Sequence, residues 1–155
     1  MGLIQTVATI IVSVSMQMLT LKRPGQPDKT WPVSTAAKGT GFEPGSNKTP
    51  TGNFRIYRKI GGSQPIYTIY QDRRPVGVWD PTSPPNNKVL TRIMWLDGID
   101  QVNNNTLRRY IFIHGTSNES HVGTPYSAGC VTMKNADVIE LYNLVDENTR
   151  VTINP

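Results

Sequence analysis

Cysteine and histidine are nearly missing from this chain, which has one Cys and two His in 155 residues. A single cysteine cannot close an internal disulfide, and so few soft ligands exclude a structural zinc site of four Cys or His. Neither staple is needed, because a domain of this length buries roughly 70% of the surface its unfolded chain exposes. Charge is sparse as well. Lys and Arg number 16 against 11 Asp and Glu, a net charge of +5, and the basic residues are scattered as Lys22-Arg23, Arg58-Lys59, Arg73-Arg74 and Arg108-Arg109. With no basic run and no aromatics interleaved among the pairs, a nucleic-acid partner is not expected. The basic balance would still draw the protein toward an anionic polymer.

Long apolar runs are absent too, and no stretch approaches the ~20 residues of a membrane-spanning helix. The opening MGLIQTVATIIVSVS resembles an export signal only superficially. No Lys or Arg precedes residue 22, Gln5 and Thr6 interrupt the apolar run, and residues 10–15 alternate like a strand. No membrane span and no signal peptide are therefore expected, and location must be argued from function.

What the chain does contain is strand pattern. Apolar residues recur with period two or in short β-branched runs between Gly and Pro clusters, predicting strands near residues 8–15, 17–23, 30–35, 54–60, 66–70, 75–79, 89–96, 108–114 and 149–153. RPGQPDKT reads as a turn, since neither Pro24 nor Pro27 can donate to a ladder, and its hairpin puts Gln17, Leu19 and Leu21 on one face. The loops 36–53 and 80–88 are long for so small a domain, and ordered loops of that length usually have a function. One helix is predicted over 135–146. Asn135 suits the N-cap, Asp137 suits the positive end of the dipole, and Val138, Leu141, Tyr142 and Val145 make one stripe. The expectation is one domain spanning 1–155, mainly β, with a single short amphipathic helix packed on it.

Residues 114–130, HGTSNESHVGTPYSAGC, hold the only Cys and both His. Thiol catalysis needs a nucleophile, a base, a group that orients the base, and donors for an oxyanion. His114 ends an apolar strand, where sites commonly open. Gly115 follows it, and its carbonyl can accept from one imidazole nitrogen and set the tautomer. Ser127-Ala128-Gly129-Cys130 is a run of small residues that lets backbone amides converge. Against this, a lone Cys is more often a small buried hydrophobe, and Val131 and Met133 beside it would suit a core strand. His121, among Asn118, Glu119 and Ser120, reads as a solvated loop histidine. Trp31, Trp79 and Trp95 read as core or loop anchors, and Thr49 to Gly52 as a turn, either structural or shaping a groove.

The stretch IHGTSNESHVGTPYSAGCVTMKNADVIELYNLV resembles the signature of the L,D-transpeptidase family, the YkuD-type catalytic domain of bacterial cell-wall enzymes. Upstream, VSVSMQMLTLKRPGQPDKTWPVSTAAKGTG is similar to the family's opening hairpin, and GSNKTPTGNFRIYRKIGG to its threonine-proline-x-glycine loop. Together the likeness runs from about Ile10 to Ile153. It implies a β-sandwich-like fold and a cysteine that attacks a peptidoglycan tetrapeptide stem, releases D-alanine, and passes the acyl group to an amine. By the motif, Cys130 is the nucleophile, His114 the base and the Gly115 carbonyl the orienting group. Ser127, Ala128 and Gly129 line the oxyanion region, and Thr132 adjoins the substrate.

Two departures bear on that implication. Ala128 stands where the family commonly has a second histidine, and Thr132 where many members carry an arginine suited to a stem carboxylate. Arg92, Arg109 or Lys134 are the candidates for replacing that charge. The resemblance implies peptidoglycan stem peptides as partners, carbapenem-type β-lactams as acylating inhibitors, no metal or cofactor, and a periplasmic or cell-wall-facing location. Two alternatives stay open: an L,D-carboxypeptidase or exported effector of the same fold, and a peptidoglycan-binding domain that has lost turnover through Ala128 and Thr132.

Overall fold

The structure is a computed structural model that describes residues 7–155; Gln5 and Thr6 of the opening segment lie outside the described residues. Ten strands and one helix follow in order: β1 Thr9–Ser13, β2 Met18–Lys22, β3 Lys29–Pro32, β4 Gly52–Ile60, β5 Thr68–Gln71, β6 Arg74–Val78, β7 Val89–Gly98, β8 Phe112–Gly115, β9 Val131–Met133, α1 Asn135–Leu144 and β10 Arg150–Asn154. The strands form one curled sheet in the order β3-β2-β1-β10-β4-β7-β5-β6, with β8 on the other edge of β7 and β9 beyond it. Its folding over β7 explains the sandwich-like shape, because β4 and β8 take opposite edges of that strand while β5 joins its first residues. The mainly β fold with one helix agrees with the expectation. No helix among the described residues is long and apolar enough to cross a membrane.

The period-two alternation does what it predicts at the N-terminal end. Ile10, Val12, Leu19 and Leu21 are all fully buried, and their strand neighbours face outward. Gln17, expected on that face, lies instead in the turn before β2 at φ 52°, buried and hydrogen-bonded through its amide to Thr35 Oγ1 and the Val14 carbonyl. Inside the curl, Phe54, Ile56, Met94, Leu96, Ile113, Val131 and Met133 meet Val138, Leu141 and Tyr142 of the helix and Val145 just past its end. Each fully buried aliphatic side chain contributes about 1.5–3 kcal/mol of transfer free energy, so the helical stripe holds α1 across β7 and β8.

Three further expectations are corrected. Residues 108–110 are not strand: Leu107–Arg109 is a 3-10 turn and Tyr110 is left-handed, at φ 55°. This turn swings the chain inward, so the strand begins only at Phe112. Residues 131–133 form a real strand that pairs in parallel with β8, matching Ile113 to Val131, His114 to Thr132 and Gly115 to Met133. Finally, Lys134 is the N-cap of α1, which runs only to Leu144, and Asn135 is its first residue, with a different task described below.

Candidate active site

The β8–β9 register is what brings the two chemical residues together. A parallel neighbour needs a long connection, here residues 116–130, and that loop returns the chain beside His114 with Cys130 immediately before β9. Ser127 ties the end of the loop into a tight turn. Its hydroxyl donates to the Cys130 carbonyl at 2.6 Å and accepts from the Gly129 N–H at 3.2 Å. Gly129 lies at φ +128°, a conformation that other residues rarely adopt, and so allows the turn. One amide expected for the oxyanion, that of Gly129, is therefore held by Ser127 in this structure.

The wholly buried Thr49 braces the turn from outside. Its hydroxyl donates to the Gly129 carbonyl at 2.8 Å and accepts from the Ala36 N–H at 2.9 Å. The 36–53 loop that carries Thr49 is gripped in turn by Arg109, which donates to the carbonyls of Lys48 and Gly41 at 2.7 and 3.2 Å. The turn reading of residues 49–52 thus acquires a specific role, since Thr49 supports the backbone that precedes the thiol.

Cys130 is partly buried against Tyr70, Ile93 and Phe112. Its Sγ accepts from the Phe112 N–H at 3.3 Å and donates to the Tyr110 carbonyl at 3.5 Å. Burial pushes the thiol up to about 11, against the smaller opposing pull of the Phe112 N–H and the Arg109 charge. His114 is buried, and its Nδ1 lies 2.6 Å from the Gly115 carbonyl. A carbonyl only accepts, so Nδ1 carries the proton and Nε2 is left with its lone pair. Burial brings the imidazole down to about 4, only partly offset by that hydrogen bond. At neutral pH the resting pair is therefore thiol and neutral imidazole.

A cavity of about 550 Å³ joins them, lined by His114, Cys130, Ser127, Ala128 and Thr132 together with Asn87, Lys88, Thr116, Asn118 and Tyr126. Gly129 and the Gly115 carbonyl lie behind this surface rather than on it. Asn87 anchors the 80–88 loop across the mouth, its Oδ1 accepting from Asn118 Nδ2 and the Tyr126 hydroxyl, both at 3.2 Å. Asn86 adds a bond from its N–H to Ser117 Oγ at 2.9 Å. His121 is exposed, stacked on Tyr126 at 4.4 Å, and outside the lining.

None of the three cations expected to replace the family's arginine lines this cavity. Arg92 is buried and committed to the Gln64 and Thr91 carbonyls, Arg109 holds the 36–53 loop, and Lys134, exposed at the N-cap position of α1 with no side-chain capping bond, lies outside the lining. The cation that does line it is exposed Lys88. The signal for Lys88 and Asn87 was the unusual length of their loop. Thr91 had no such signal: it is fully buried and left-handed at φ 76°, where β7 and β8 lose register opposite His114.

Comparison with known proteins bears on the family and the fold. A profile of the L,D-transpeptidase catalytic domain, YkuD, matches residues 8–153. The YkuD protein of Bacillus subtilis (strain 168) is 31% identical over 145 residues, covering 94% of this chain and 65% of its own length. The chain thus spans just under two thirds of that relative. An L,D-transpeptidase from Xylanimonas cellulosilytica (residues 123–326) shares the fold with a TM-score of 0.64 at 18% identity, over 97% of this chain and 61% of that one. L,D-transpeptidase 3 from Mycobacterium tuberculosis, solved with a faropenem-derived adduct, superposes with a TM-score of 0.60 at 18% identity, over 96% and 60% of the two chains. Another, LdtMt1 in complex with imipenem, gives 0.60 at 16%, over 96% and 59%. By the profile match over nearly its whole length, the chain belongs to the L,D-transpeptidase (YkuD) catalytic domain family.

Proposed function

We propose that residues 8–153 act as a single catalytic domain, an L,D-transpeptidase that uses Cys130 to cleave peptidoglycan tetrapeptide stems. The observation that carries this reading is one cavity lined by His114, Cys130, Ser127, Ala128 and Thr132. His114 Nε2 takes the thiol proton as Sγ attacks the carbonyl of the third residue, a diamino acid. The tetrahedral oxyanion is met by the backbone amides of Ala128 and Cys130, since those of Ser127 and Gly129 already donate to the Thr35 carbonyl and to Ser127 Oγ. Its collapse breaks the bond to D-alanine, whose amine receives the proton from the imidazolium. The thioester on Cys130 is then attacked by an amine, giving a three-to-three crosslink or an exchanged terminal D-amino acid, and Sγ regains its proton. Water as acceptor gives carboxypeptidase activity instead.

Because the thiol rests near 11 and the imidazole near 4, proton transfer accompanies attack rather than preceding it. Substrate entry supplies the incentive by bringing the electrophile to Sγ. Carbapenem-type β-lactams present a strained amide in the same cavity and should acylate Cys130, in keeping with the imipenem complex and faropenem adduct named for two structural neighbours. Such a substrate places the working enzyme facing the cell wall.

The test is a disaccharide tetrapeptide incubated with the protein, with and without an added D-amino acid, with products weighed by mass spectrometry. Loss of D-alanine that turns to exchange when the D-amino acid is present supports transpeptidation. Loss without exchange supports the carboxypeptidase alternative. Binding without loss overturns the enzymatic reading in favour of a binding domain.

A further inference from the structure

Asn135 has a place in the site that helix capping does not explain. It is fully buried at the start of α1, directly behind Gly115. Its Oδ1 accepts from Thr91 Oγ1 at 2.6 Å, and its Nδ2 donates to the Thr116 carbonyl at 2.7 Å and to Glu119 Oε2 at 2.9 Å. The same carboxylate oxygen accepts from the Asn135 backbone N–H at 2.7 Å, where the positive end of the helix favours it. Only an amide supplies an acceptor and two donors on one short side chain. Aspartate cannot donate to Thr116, and alanine reaches neither partner.

These bonds converge on one peptide group. Gly115 and Thr116 flank the peptide whose carbonyl meets His114 Nδ1 at 2.6 Å. On one side Asn135 holds the Thr116 carbonyl. On the other it holds Thr91, which sits unpaired in the register break next to the Leu90–Gly115 pair. There is no slack: a Cβ on Gly115 would overlap Asn135 Oδ1 and stand 2.9 Å from the Leu90 carbonyl and 3.2 Å from Thr91 Cβ. Thr91 is itself a β-branched residue at φ 76°, an unfavourable backbone that persists only where its surroundings over-determine it. The surroundings of Thr91 do so: its hydroxyl also accepts from the Tyr67 N–H at 3.0 Å, and its carbonyl accepts from the Tyr70 hydroxyl at 3.1 Å and from Arg92 at 2.7 Å.

We propose that Asn135 is a positioning residue: through Thr91 and Thr116 it fixes the Gly115 carbonyl that orients the His114 ring and keeps its proton on Nδ1. The functional consequence rests on the reading of His114 as the base. The structural consequence does not, and the experiment reads both.

Long-range nitrogen–proton NMR of the histidine side chains distinguishes the two tautomers directly. In the native chain His114 should show the Nδ1–H form alone. In Asn135→Ala an Nε2–H population should appear, with kcat for D-alanine release lowered roughly 10- to 100-fold and KM little changed. Thr91→Ala, which removes the hydroxyl bonded to Oδ1 together with its bond from the Tyr67 N–H and the γ-methyl, should move the tautomer the same way by less, and serves if Asn135→Ala does not fold. Val138→Ala loosens the same helix without breaking any of these bonds and should leave the tautomer pure. An unchanged tautomer in both Asn135→Ala and Thr91→Ala overturns the proposal, as does an equal change in Val138→Ala. A tautomer change in a protein that never releases D-alanine sustains the positioning role while removing the transpeptidase reading.

Discussion

With one cysteine in the chain, the reactivity of Cys130 can be followed without ambiguity, and the structure sets its expected pH dependence. The thiol is pushed up to about 11 by burial. At pH 7 that leaves roughly one molecule in 10⁴ as thiolate, against about 3% for a free cysteine near 8.5. The population difference is about 300-fold. A more basic thiolate is intrinsically more nucleophilic, which recovers about tenfold, so labelling by iodoacetamide at pH 7 should run about 30-fold slower than for an exposed cysteine. Limited access would slow it further. Intact-mass measurement of labelling from pH 6 to 11 should show the rate climbing about tenfold per pH unit without levelling before about pH 10.5. His114→Ala should have the same profile, because the resting thiol bonds to the Phe112 N–H and the Tyr110 carbonyl and not to the imidazole. A plateau at neutral pH that disappears in His114→Ala would mean a preformed thiolate–imidazolium pair and would refute this reasoning.

Acid should weaken the fold through His114. Its imidazole is held down to about 4, so the unfolded chain, near 6.5, takes up the proton first. Stability from this source is intact above pH 6.5, falls by about 3 kcal/mol between pH 6.5 and 4, and is flat below; urea midpoints at pH 7 and 4 should lose that component in His114→Gln. Thr49→Val keeps the shape of the side chain but leaves the Ala36 N–H and the Gly129 carbonyl unpaired, costing about 2–3 kcal/mol in urea unfolding, while Thr49→Ser should retain most of the stability. Lys88→Gln should raise KM for stems with a free carboxylate about tenfold and leave kcat nearly unchanged, since Lys88 is the cation on the cavity wall. Equal kinetics for Lys88→Gln and the native chain would remove it from recognition.

Much of the fold was readable because it is written locally. The alternation of residues 10–12 and 19–21 and the helical stripe of Val138, Leu141, Tyr142 and Val145 each depend only on neighbours a few positions away. What escaped depends on distant partners. The three residues of β9 are too short for a periodic signal, and their pairing with β8 is imposed by a loop that must close on itself. RRY, residues 108–110, reads as strand in the sequence, yet the 3-10 turn and the left-handed Tyr110 are dictated by how β8 enters the curl. Asn135 has the chemistry of an N-cap, and tertiary packing uses the same amide to join Thr91, Thr116 and Glu119 instead. Arg92 and Arg109 looked free because sequence shows a charge but not the carbonyls that occupy it. The positions of Cys130 and His114 were legible from an ordered set of motifs spanning strand, loop and helix, while the rest of the cavity wall came from a loop flagged only by its length.

The central claim is that Cys130 carries the acyl group. It is tested most directly by mixing the protein with a tetrapeptide stem, quenching in acid, and mapping any adduct by mass spectrometry of the intact chain and its fragments. A tripeptide-stem adduct should form on Cys130 in the native chain, with neither adduct nor D-alanine release in a folded Cys130→Ala variant. Release of D-alanine by Cys130→Ala, or an adduct on any other residue, would contradict it.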